Sequence, residues 1–174
     1  MHLVVIPHKI DSLMLALKNT HGRYAAYWNA SHSSSGHVWQ GRYYSCPLGL
    51  THLWSALRYA ELNAIRAGMV STPDAYRWSS AAAHCGIAQP DLPLEVDLWQ
   101  QQWNCATWRK FLCDPDAEAD TEAIRQCTHT GRPLGTTEFI ASLETTVGRV
   151  LTPQRSGRPP KTPANRQQQL LGFD

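Results

Sequence analysis

The chain opens on an apolar block, Met1-His2-Leu3-Val4-Val5-Ile6-Pro7, whose β-branched residues stopped by proline predict a strand. In such a strand His2, Val4 and Ile6 point one way and Leu3 and Val5 the other. Asp11 or Ser12 can then cap a helix in which Leu13, Leu17 and Tyr24 recur on one side with Ala16 beside them. The polar, glycine-containing stretch 29–36 ends that helix. Residues 37–45 (HVWQGRYYS) have the aromatic content of a strand or extended segment, closed by Pro47 and Gly49.

The next helix begins near Thr51 and has two distinct sides. At 100° per residue Leu53, Trp54, Leu57, Ala60 and Ala64 collect on one, and Tyr59, Asn63 and Arg66 on nearly the opposite one. Beyond Gly68 and Pro73 the aromatic pair Tyr76 and Trp78 leads into a short, serine-capped helix over 79–84. Residues 86–93 read as a linker. Leu98, Trp99, Trp103, Trp108, Phe111 and Leu112 predict a satellite helical region against the main core, its acidic residues facing solvent. A last helix spans 136–149, capped by Thr136, with Phe139, Ile140, Leu143 and Val147 on its apolar side. Past Pro153 too few residues can pack, which predicts an extended or disordered tail.

With 174 residues the chain has room for about one domain and one catalytic centre. Its net charge of +2 is modest but uneven. Residues 91–122 carry eight acids opposed by Arg109 and Lys110, whereas Arg149, Arg155, Arg158, Lys161 and Arg166 follow one another without an acid. Such a basic run can displace counterions from a nucleic acid, and it serves solubility equally well. Cys46, Cys85, Cys105, Cys113 and Cys127 form no C-x-x-C pair, so neither a disulfide framework nor a thiolate zinc site is expected and a reducing cytoplasm is the simplest setting. No signal segment or membrane-spanning run is present.

Three groups of residues could carry chemistry. Tyr59 projects from the polar side of its helix, with Asn63 one turn on and Arg66 two turns on. A phenol needs a metal or cationic neighbour to attack phosphorus, and a surface or interface tyrosine fits the same spacing. His2 can ligate a divalent ion through one nitrogen, although one histidine is not a site and a structural strand histidine reads identically. Arg42, Tyr43 and Tyr44, with Trp39 and His37, interleave cation and aromatics as phosphate-holding and base-stacking segments do, and as sheet cores with polar edges also do.

Taken together these blocks resemble the IS200-like transposases, particularly the REP-associated tyrosine transposases of the HUH/Y1 type. The likeness begins at Met1-His2-Leu3-Val4-Val5-Ile6-Pro7, similar to the second half of the family's histidine-any-histidine metal strand, and continues through Gly36-His37-Val38-Trp39-Gln40-Gly41-Arg42-Tyr43-Tyr44. It is strongest at Arg58-Tyr59-Ala60-Glu61-Leu62-Asn63-Ala64-Ile65-Arg66-Ala67-Gly68-Met69-Val70, where Ala64 stands in place of a common proline, and it ends on Tyr76-Arg77-Trp78-Ser79-Ser80.

The resemblance implies an α+β fold, an incomplete ferredoxin-like sheet with helices and a helical C-terminal extension. Residues 1–84 would be an N-terminally truncated catalytic domain, 85–152 the extension and 153–174 a basic flexible tail. It further implies metal-assisted cleavage and rejoining of single-stranded or hairpin DNA through a 5′-phosphotyrosine. Tyr59 would be the nucleophile, with Asn63 beside it. His2 would be part of an incomplete Mg²⁺ or Mn²⁺ site whose first histidine is missing. Arg42, Tyr43, Arg66, Arg155, Arg158 and Lys161 would bind DNA, in a cytoplasmic protein that works as a homodimer. Impaired cleavage is the expectation. A noncatalytic DNA-binding remnant and a structural or interaction domain are the competing readings.

Overall fold

Helix α1, Ser12–Ser31, forms where the Leu13 and Leu17 repeat predicts it, but it buries none of its residues. Asp11 makes no side-chain cap; Ser12 Oγ instead accepts from the Lys9 amide at 3.1 Å. These contacts come from a computed structural model that describes residues 1–89, 93–114 and 120–153. Helix α2, Leu50–Glu61, breaks at Leu62 and is followed at once by the single turn α3, Asn63–Arg66. A 3₁₀ turn, Pro73–Ala75, packs against α4, Ala81–His84. Ser80 stands at the cap position expected to hold a serine but makes no side-chain cap bond; Ser79 Oγ, one residue earlier, accepts from the Ala81 amide at 3.2 Å.

The remaining helices are α5 (Asp97–Gln100), α6 (Cys105–Cys113), α7 (Asp120–Thr130) and α8 (Thr137–Val147). Asn104 closes a capping box at the start of α6, its side chain accepting from the Ala106 and Thr107 amides at 3.0 Å each. Thr136 caps α8 as expected, and Gly148, at φ 65°, ends it in the left-handed conformation that glycine adopts without a Cβ penalty.

The expected α+β architecture, an incomplete ferredoxin-like sheet, is not what forms. Among the described residues there is no strand, and one isolated parallel bridge, Leu48 with Leu134, is the sole β pairing. Residues 1–7 keep a strand-like composition, yet a strand exists only where a second backbone supplies the ladder. Here most of the segment is exposed, only Val4 being half-buried, and His2 meets a helix side chain rather than another extended chain. Residues 37–45 bend back onto α1, where the Trp39 indole donates to the His21 carbonyl at 3.1 Å.

The core also lies elsewhere than periodicity places it. Cys85, Trp99, Trp108 and Leu112 are buried together, with Trp54, Leu57, Leu62, Trp103 and Phe111 packed around them. The tryptophan segment is therefore the centre of the molecule and not a satellite. Trp108, wholly enclosed, meets Trp54, Trp99 and Trp103 edge-on, with ring centroids 5.1–6.4 Å apart. Helix α7 packs on α2, and Ser55 donates to Asp120 at 2.6 Å to fix that pair. One acid of the 91–122 run thus holds a helix in place instead of facing open solvent.

The bridge at Leu48 ties residues 47–49 to residues 134–135. The Gly49 amide donates to Leu134 at 2.8 Å and the Leu134 amide to Pro47 at 2.9 Å. A Cβ on Gly49 would lie 3.1 Å from the Cα of Gly135, which explains glycine at this crossing. Among the described residues no helix is long and apolar enough to cross a membrane.

Candidate functional site

Tyr59 lies in the last turn of α2 and is half-buried. Two residues from outside its own helix turn converge on its ring. His2, from the opening segment, meets it edge-on at 88° with ring centroids 5.3 Å apart. Arg66 folds back from α3 so that its guanidinium carbon lies 4.2 Å from the ring centroid, and it donates to the Tyr59 carbonyl. The break at Leu62 makes this reach possible, because the Tyr59 carbonyl lies where the helix ladder ends and can accept a side-chain donor.

His2 is open to solvent on one side, but desolvation of its imidazole against the Tyr59 ring lowers its pKa, and the positive charges of the amino terminus and Arg66 push the same way. The folded site thus favours neutral imidazole. Asn63 begins α3 one turn from Tyr59 and is half-buried, its carbonyl accepting from the Ala67 amide. Arg42 and Tyr43 are exposed on the 37–45 segment, whose ring contacts run to α1 and α7: Trp39 stacks on His21, and Tyr44 on His129. Arg155, Arg158 and Lys161 lie outside the described residues.

A divalent cation needs several oxygen or nitrogen ligands at once. Among the described residues no group of three or more His, Cys, Asp or Glu side chains could hold one. The charge beside His2 is that of a guanidinium, which repels a cation. His2 and its neighbours therefore do not by themselves fit Mg²⁺ or Mn²⁺.

On either side of Tyr59, two residues that the spacing does not single out are buried. Glu61, 1% exposed, accepts from Ser80 Oγ at 2.6 Å and from the Trp108 indole at 2.8 Å, and pairs with His84 Nδ1 at 2.6 Å. Arg58, also buried, donates to the carbonyls of Phe111 at 2.8 Å, Leu112 at 3.3 Å and Asp114 at 2.5 Å. The guanidinium thereby donates to carbonyls at the end of α6, where the helical ladder runs out. Together these two residues fix the rotation of α2 about its axis and so decide where Tyr59 points. Two oppositely charged residues three apart on a helix were the one available signal, and an exposed i, i+3 pair gives the same signal.

No protein-family model matches the chain, and neither a curated protein nor a solved structure matches it.

Proposed function

We propose that the chain is a transposase-like protein of the tyrosine type that acts on single-stranded or hairpin DNA, with Tyr59 as its nucleophile. The observation that supports this reading is the convergence of His2 and Arg66, from separate segments, on the ring of Tyr59. In the reaction the phenol oxygen forms a bond to a backbone phosphorus while the bond to the 3′-oxygen breaks. The phenol proton leaves and the released 3′-oxygen takes one up, so a 5′-phosphotyrosine and a 3′-hydroxyl result. Arg66 supplies positive charge toward the phosphate. Asn63 borders the same site, and Arg42 and Tyr43 offer charge and a ring to the strand.

In the reading borrowed from the resemblance a Mg²⁺ or Mn²⁺ ion would withdraw charge from the phosphate. The residues present here offer it one imidazole, so no step is assigned to an ion and cleavage by this chain is expected to be weak. DNA as substrate implies work in the cytoplasm, by two subunits if the resemblance holds.

Prolonged incubation with an excess of hairpin DNA carrying a single-stranded flank, followed by mass mapping, tests the reading. A substoichiometric nucleotide adduct on Tyr59, lost in Tyr59→Phe, is expected. DNA binding without any adduct, unchanged in Tyr59→Phe, would instead establish the noncatalytic reading, which the lack of a three-ligand metal group among the described residues favours. Absence of DNA binding would end both.

A further inference from the structure

Helix α1 is a 20-residue helix that buries nothing, and one stripe of it is aromatic. His21 and Trp39 stack with centroids 4.2 Å apart; Tyr24 lies 5.6 Å from Trp39 and 6.1 Å from Trp28; Trp28 stacks on His32 at 3.8 Å. The rings form one continuous ladder, and three of them are partly open to solvent, Tyr24 at 42%, Trp28 at 39% and Trp39 at 37%, while His21 is half-buried with its Nε2 enclosed. A cavity of about 400 Å³ opens beside it, lined by Tyr24, Trp28, Asn29, Ser34, Ser35 and His37 among others. Its polar wall is set: the Asn29 amide donates to the Gly36 carbonyl and accepts from Ser34, both at 3.1 Å.

The charge around this ladder is one-sided. Asp11 is the only acid in residues 1–60, while Lys9, Lys18, Arg23 and Arg42 are all exposed. Lys18 continues the aromatic stripe one turn earlier by helical spacing. A purely apolar interface gains nothing from this excess of cations, whereas a strand of phosphates does. Partly exposed rings, amide and hydroxyl groups beside them, and unopposed cations are the combination that holds unpaired bases, each base lying flat on a ring while its phosphate meets a cation.

We infer that the His21, Trp39, Tyr24 and Trp28 ladder is a stacking platform for the unpaired bases of a single strand. This rests on the proposed action on DNA and adds where the strand lies, along α1. Bases already stacked within a duplex cannot use it.

Fluorescence anisotropy with labelled short oligo-deoxythymidine, and with a blunt duplex as control, tests the platform. Trp28→Ala and Trp39→Ala should each lower single-strand affinity about ten-fold. Trp39→Phe should keep most of it, since the ring remains, and duplex affinity should not change. Far-ultraviolet circular dichroism confirms that each variant keeps its helices, expected because neither ring is in the core. Unchanged oligonucleotide affinity in both alanine variants overturns the platform. So does a self-associated wild-type chain that these variants turn monomeric, because the ladder is then a protein interface. A Tyr59 adduct that persists when the platform variants bind normally would spare the nucleophile and sink the platform. Ring-dependent binding with no adduct would do the reverse.

Discussion

Glu61 takes a carboxylate out of water and surrounds it with a serine hydroxyl, an indole N–H and an imidazole. Burying such a charge is costly unless every lone pair finds a donor, and here three donors converge on it. Glu61→Gln turns one acceptor oxygen into an NH₂ that faces donors, leaving at least one unmatched. A loss of about 2 kcal/mol, read from the midpoint of urea unfolding at constant slope, is expected. A variant as stable as the parent would mean that the carboxylate is dispensable. Cys46 offers a second residue-level check. Burial, with Cys127 beside it, pushes its thiol up to about 11. An unfolded cysteine gives up its proton near pH 8.5, roughly. Between those values the unfolded chain has lost a proton that the folded chain keeps, so this contribution to stability is whole below that window and falls as pH rises through about 11. Iodoacetamide labelling of Cys46, followed by peptide mass, should accelerate only as pH nears 11 in the native chain and well before that in urea. Equal profiles in both would contradict the burial.

Helix ends carry much of the organisation at the level of elements. The Asn104 box satisfies two amides at the start of α6, and Arg58 receives the carbonyls at its other end. A nine-residue helix is too short to persist on its own, so these terminal bonds and the burial of Trp108 and Leu112 must hold it. Asn104→Ala is expected to cost about 1 kcal/mol, seen in a chain of this size as a drop in Tm of roughly 2–4 °C. A loss below about a third of that would show that packing alone keeps α6 formed. The caps also show which elements could be read in advance. Thr136 before an apolar stripe is a helix start whatever surrounds it, and α8 forms there. Helix α7 is nearly invisible in the sequence, because only Thr121 and Ile124 of its residues are buried and its order depends on docking to α2.

At the scale of the whole molecule, tertiary contact decided what local pattern left open. Leu13 and Leu17 mark a helix, and α1 is a helix, yet the two leucines are only half-buried and no residue of α1 enters the core. The composition of residues 1–7 is that of a strand, but pairing is a property of two segments and is not written in one. At the candidate site, Tyr59, Asn63 and Arg66 share a side by spacing alone, which was legible. That Arg66 would turn back onto the ring depended on the break at Leu62. The closeness of His2 depends on the path of a distant segment, which no helical or strand period encodes. Arg58 and Glu61 were missed for a related reason: their partners, the carbonyls ending α6 and the Trp108 indole, belong to another stretch of chain.

Arg58 and Glu61 stand on either side of Tyr59 in sequence, and both are anchored beyond residue 84. The phenol is thus coupled to the tryptophan cluster as a handle is to the blade it is riveted to. A fragment severed after α4 would strand the Arg58 guanidinium and take the Trp108 indole from Glu61, leaving it Ser80 and His84. It would also free α2 to roll, so that amide exchange around Tyr59 and around Trp108 should report one shared opening event in the intact chain.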